Sequence, residues 1–119
     1  MENQNLAHLD RLLTMLKQGQ FVEGMEAFFD ENVTIQEVGQ APKTGRDLTI
    51  AVEKQLLQGV SEFIQYSAHS IGAGGDKTFY DATMEFKTTD GQHVVQQQAV
   101  VTTWKDGKII DERYYHANV

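Results

Sequence analysis

The chain has 119 residues, no cysteine, and seventeen Asp and Glu against ten Lys and Arg, for a formal net charge of −7. That length suits a single domain over residues 1–119 with a real core, and the missing cysteines exclude disulfide frameworks, thiolate nucleophiles and Cys-ligated metal centres. The basic residues are scattered, so a phosphate backbone would be repelled and no nucleic-acid partner is expected; with no basic or apolar leader pattern at Met1-Glu2-Asn3-Gln4-Asn5 and no apolar run near the roughly 18 residues of a membrane span, the expectation is a cytoplasmic chain with no membrane partner.

Leu6, Leu9, Leu13 and Leu16 form one stripe of an amphipathic helix expected over residues 5–17 and stopped by Gly19. Phe21, Met25, Phe28 and Phe29 mark a second helix over residues 21–29, which Asp30-Glu31-Asn32 breaks before a short strand at 33–38. After the chain's one Pro-bearing loop, Gly39 to Lys43, Thr44-Gly45-Arg46-Asp47 resembles a helix start with Thr44 as N-cap. The third helix, residues 45–58, carries apolar residues on more than one stripe, so it is expected to be covered by sheet on one side and helix on another. Four β-patterned runs follow at residues 61–73, 77–89, 92–104 and 108–117, joined by Gly72-Ala73-Gly74-Gly75-Asp76, Asp90-Gly91 and Asp106-Gly107 as hairpin turns. Several of these runs exceed the usual strand of about 5–6 residues. Long strands in a small chain must bend, so the fold expected is α+β: a cone-shaped cup of strongly curved, mainly antiparallel sheet wrapped around three N-terminal helices. A cup is a place for a small molecule.

This order, with Asp106-Gly107-Lys108-Ile109-Ile110 feeding a last strand that carries Tyr114-Tyr115, resembles the nuclear transport factor 2-like superfamily, and within it the SnoaL-like and ketosteroid isomerase-like proteins. The resemblance runs over nearly the whole chain and also rests on Gly19, Phe28-Phe29 and Pro42-Lys43-Thr44-Gly45. It implies a homodimer through the outer face of the sheet and a cup that binds a small apolar or amphipathic molecule, in an isomerase, cyclase or lyase or in a binding or protein-association module without catalysis. Fold alone does not choose among these.

Glu37, just before the Pro-bearing loop, matches the place of the general base in ketosteroid isomerases; inside an apolar cup a carboxylate has a raised pKa, whereas an exposed strand-end Glu has no role. The isomerases' helix-borne Tyr donor would fall at Leu12, and their second, protonated Asp near Ala99 or Val100, so their oxyanion pair is absent. The Asp expected of limonene epoxide hydrolases falls at Tyr114, so their Asp-Arg-Asp triad is absent too. Alternation of the last strand puts Ile110, Glu112, Tyr114 and His116 on one face, and the resemblance points that face inward. Glu37, Tyr114 and His116 are therefore the candidate catalytic set, with Glu112 lining the cup beside them; the opposing reading of His116 is a surface histidine near the end of the chain. If the face of Val94, Val100 and Trp104 is inward, Gln96 and Gln98 line the cup as orienting amides; otherwise they meet solvent or a dimer partner. Tyr80, Met84 and Phe86, with Ala82, form an inward face that is wall or core. Leu12 and Trp104 complete the candidate ligand-binding set. No cofactor motif is present, and His69, His93 and His116 have no metal-ligand spacing, so no metal is expected.

Overall fold

The structure, a computed structural model, describes residues 1–118, with side chains through residue 116. In chain order the elements are α1 (Glu2–Lys17), α2 (Phe21–Phe28), β1 (Phe29–Glu37), β2 (Lys43–Thr44), α3 (Arg46–Leu57), β3 (Val60–Gly74), β4 (Lys77–Thr88), β5 (His93–Lys105) and β6 (Lys108–Asn118). One sheet holds all the strands in the order β2-β1-β6-β5-β4-β3. Its pairs are antiparallel except β1 with β6. The result is an α+β fold of three helices on a curled, mostly antiparallel six-stranded sheet.

Helix α1 starts earlier than its leucine stripe suggests, because the Asn5 N–H already reaches the Met1 carbonyl. It ends where Gly19 takes φ 79°, with the Gly19 and Gln20 amides returning to the Leu16 and Met15 carbonyls. A side chain at Gly19 would also be crowded, since a Cβ there would sit 3.1 Å from the Phe63 ring. Helix α1 therefore lies against β3, with the Glu2 carboxylate accepting from the Gly75 amide at its other end. Helix α2 gives way to strand at Phe29 rather than after Asp30-Glu31-Asn32; those residues are carried within β1 at a register shift, where Asp30 accepts from the Asn32 amide. The helix start expected at Thr44 lies one residue on. Thr44 pairs with Thr34 in the two-residue strand β2, and Gly45 at φ 114° is the N-cap.

Helix α3 is covered as expected, by α2 on one side and by β1 of the sheet on another, but only loosely. No residue of α3 is buried, and Leu48 and Leu56 are exposed while Ile50, Glu53 and Leu57 are half-buried. The helix packs against α2 and β1 and leaves the far strands open.

Register shifts at three places in β3 and one between β5 and β6 bend the long strands. The last one overturns part of the expected alternation. Trp104 pairs with Ile109 and Thr103 with Asp111, so Ile110 is an extra residue; Ile109, not Ile110, turns into the core, while Glu112, Tyr114 and His116 keep the inward face. Leu9, Leu12, Phe28, Phe29, Val33, Val100, Trp104 and Ile109 belong to the buried core under α1 and α2. Leu9 has no exposed surface and Leu56 is 64% exposed, so their truncations separate burial from composition. Leu9→Ala is expected to cost about 2–5 kcal/mol in denaturant unfolding, and Leu56→Ala to stay within about 0.5 kcal/mol of the parent.

Candidate functional site

The inner face of the sheet divides into two zones. At the turn end Trp104 donates from its indole to Thr78, stacks with His8 at 5.8 Å and meets Phe28 edge-on, so this zone is closed core. Toward the other end the inner face becomes polar. Glu112 is 3% exposed and pairs in register with Thr102, whose hydroxyl donates to it at 2.9 Å; the Tyr114 hydroxyl, two residues along the same face, donates to its other oxygen. Burial is the largest influence on this carboxyl and pushes it above the usual range, against the two hydrogen bonds, which favour the ionised form. Beside it the Tyr66 and Tyr80 hydroxyls lie 3.0 Å apart, and the Gln98 amide donates to Tyr66 at 2.6 Å. Ala82, between Tyr80 and Met84 on β4, and Ala68 opposite it on β3 are the small inner-face residues between these two rings.

At the open end the parallel pairing of β1 with β6 sets Glu37 beside Tyr114, and the antiparallel pairing of β5 with β6 sets His116 beside Gln98. The Gln96 amide donates to His116 Nδ1 at 2.9 Å, an assignment that leaves the hydrogen of the neutral ring on Nε2. That nitrogen lies 3.8 Å from Glu37 Oε1, within ion-pair reach and too long for a hydrogen bond. The Glu37 side chain is 46% exposed and His116 26%. Across the mouth, α3 presents Glu53, whose carboxyl is raised first by burial and then by the negative charge of Glu37.

A sequence profile described as a SnoaL-like domain matches residues 9–112. The chain belongs to the SnoaL-like domain family. A protein from Jannaschia sp. CCS1, described as a SnoaL-like polyketide cyclase, superposes with a TM-score of 0.83 at 18% identity, over 97% of this chain and 86% of that one. An LEH-like epoxide hydrolase from M. tuberculosis gives 0.80 at 20% identity, over 98% and 84%. A Mesorhizobium loti protein, also described as a SnoaL-like polyketide cyclase, gives 0.77 at 20% identity, over 92% and 97%. At these identities the likeness is one of fold. No curated protein matches the sequence.

In this SnoaL-like domain the inner face brings together Glu37, Glu112, Tyr114, His116, Gln96 and Gln98, with Met84 paired to Tyr66 and Gln96, and Phe86 paired to Phe63. Tyr80 is on that face but buried, with its hydroxyl against that of Tyr66. Leu12 and Trp104 are not in the cup. Leu12 fills the α1–α2 crossing, where a Cβ on Gly24 would lie 2.9 Å from it, and Trp104 is in the closed zone. The three strand histidines separate: His93 pairs with Glu85 at 2.6 Å and His69 with Thr83 at 2.7 Å, both on the outer face, while His116 is inside. Among the described residues no group of three or more His, Asp and Glu side chains could hold a metal ion, and no helix is long and apolar enough to cross a membrane. Tyr66 and Glu53 join the site without a signal in the sequence: bulges hide the parity of β3, and Glu53 reads as one of several charges on a helix.

Because the carboxyl of Glu112 is raised above its unfolded value of about 4.5, its contribution to stability is full below that pH and is lost as pH climbs through the folded value. Glu112→Gln has no such loss. The melting temperature of this variant relative to the parent is expected to rise steadily as pH is raised from 4.5, as read by a thermal melt at each pH; a flat difference would mean that the group titrates as it does in the unfolded chain.

Proposed function

We propose that the cup binds a small apolar or amphipathic molecule and moves a proton on it. Glu37 is the general base, His116 beside it answers its charge, and Tyr114, whose own proton goes to Glu112, completes the set on the inner face. The reaction class is that of an isomerase, cyclase or lyase, in which a proton is taken from a carbon next to a carbonyl. The observation that carries this reading is the approach of His116 Nε2 to Glu37 Oε1, 3.8 Å, at the open end of the inner face that holds Tyr114. Similarity in fold to proteins described as polyketide cyclases and to an epoxide hydrolase supports the cup as a reaction vessel. The exposure of Glu37 favours a second reading, a binding module without turnover.

The two readings separate in a hydrogen–deuterium exchange assay on the α-protons of 1-tetralone, followed by NMR in D2O. Acid–base chemistry predicts exchange above the buffer rate, falling about 100-fold or more in Glu37→Gln. Binding with exchange at the buffer rate would leave only the second reading.

The partner proposed is a second copy, through the outer face of the sheet. Phe79 (41% exposed) and Tyr115 (46%) stand on that face, and a shallow concavity of about 420 Å³ has His69, Asp81, Gln97, Ala99 and Tyr115 among its lining residues, which also include Gln98 and His116. Sedimentation is expected to show a dimer for the parent and a monomer for Phe79→Arg, which places a charge on that face.

A further inference from the structure

The hydrogens of the Tyr66–Tyr80–Gln98 group can be counted. Two hydroxyls bring two protons, and the single contact between them, 3.0 Å, uses one. Gln98 supplies its own N–H to the Tyr66 oxygen at 2.6 Å and takes neither hydroxyl proton. Among the described residues one phenolic proton is therefore left without an acceptor, in a place where both rings are no more than 5% exposed. A buried donor without an acceptor is costly, about 1–3 kcal/mol, and native structures seldom tolerate it.

Which hydroxyl keeps that proton follows from the surroundings. The Tyr66 oxygen is the one that Gln98 reaches, and if Tyr80 also donates to it, Tyr66 accepts twice and turns its own hydrogen away from both. Of the two, Tyr66 is the one that feels the charge of Glu53 at the mouth. Burial pushes the Tyr66 phenol up to about 12, with the bonds from Tyr80 and Gln98 pulling the other way, and raises Tyr80 well above its ordinary value. The doubly supported phenol is the better donor.

The second observation is the sign of the lining. Glu37 and Glu53 stand at the mouth with His116 beside Glu37, and the arginines near it are turned elsewhere: Arg46 donates to the Phe29 carbonyl and Arg113 pairs with Asp111. An anionic acceptor would be repelled by these carboxylates.

We infer that Tyr66, oriented by Tyr80 and Gln98, is the cup's hydrogen-bond donor to its ligand, and that the group it receives is the oxygen of an uncharged carbonyl. This rests on the reading of the cup as a binding site but not on proton transfer by Glu37. A donor placed on β3 and fixed from two sides would hold a carbonyl with its α-carbon free to face the mouth, and would polarise the C=O bond as charge builds on the oxygen.

The test uses 1-tetralone with a ¹³C-labelled carbonyl and tetralin, the same ring system without the oxygen. Expected for the parent are binding of tetralone about tenfold tighter than tetralin, one hydrogen bond's worth, and a bound C=O stretch lowered from its value in an apolar solvent. Tyr66→Phe should weaken tetralone about tenfold, return the stretch upward and leave tetralin unchanged. Tyr80→Phe and Gln98→Leu, each removing one support, should raise the stretch part of the way; they keep the question answerable if Tyr66→Phe does not fold. Equal binding of the two probes by the parent, or an unchanged stretch in Tyr66→Phe, or a full effect in Tyr80→Phe with none in Tyr66→Phe, overturns the assignment to Tyr66 while the binding reading stands. A parent protein that binds neither probe overturns both. Carbonyl binding by Tyr66 without α-proton exchange would retain this donor and remove the base.

Discussion

A single extra residue in β6 determines how the inner face is shared between core and cup. Without a bulge at Ile110, strict alternation would put Ile109 on the outer face whenever Glu112, Tyr114 and His116 point inward. With it, Ile109 closes the core beside Trp104, and two residues later the strand resumes with Asp111 outward and Glu112 inward. A bulge leaves one residue out of the ladder and sharpens the local twist. Here it also lets one strand serve two environments, an apolar one at the turn end and a polar one toward the mouth. The neighbouring Asp106-Gly107 turn fixes where the count begins: both residues adopt positive φ, as a two-residue hairpin of the matching twist requires.

The polar end is held by pairing each buried group with a cross-strand neighbour. Glu112 is too deep to be left alone, and two hydroxyls, from Thr102 across the ladder and Tyr114 two residues along, saturate it. Burial still outweighs both bonds, so the carboxyl remains raised. At the mouth the balance differs. Glu37 is half in water, so its charge is screened, and its main neighbours are a histidine that can answer its charge and a second carboxyl that cannot. The depth of each acid, rather than its residue type, separates a structural carboxyl from an accessible one.

Much of this was legible in the sequence because period two survives wherever a strand is regular. Gln96, Gln98, Glu112, Tyr114 and His116 share the inner face as their spacing says. Legibility ends at the bulges and at the helices. In β3 three register shifts scramble parity around Tyr66, so the residue that anchors the hydroxyl pair shows no alternation to read. Trp104 and Leu12 are inward, as expected, but an inward apolar residue lines a cup only where no helix covers it, and the path of α1 and α2 over them is a tertiary fact. The Asp30-Glu31-Asn32 run looked like a break between elements; the register shift in β1 absorbs it within a strand. Thr44 had the chemistry of an N-cap, yet the β1–β2 pairing claimed it and left the cap to Gly45.

The loose seating of α3 follows from the same geometry. A sheet that curls this strongly can be filled by two helices at one end, and a third can reach only its rim, so α3 rests on α2 and β1 with no side chain fully buried. Its half-buried stripe of Ile50, Glu53 and Leu57 is too sparse to fill the opening. Filling it with larger apolar residues would increase the area removed from water by about 25 cal/mol for each Å². It would also cover Glu37 and His116, which the present packing leaves partly exposed. A carboxyl at Glu53, raised by burial and by Glu37, is a local loss of stability of the kind expected where a surface is kept open.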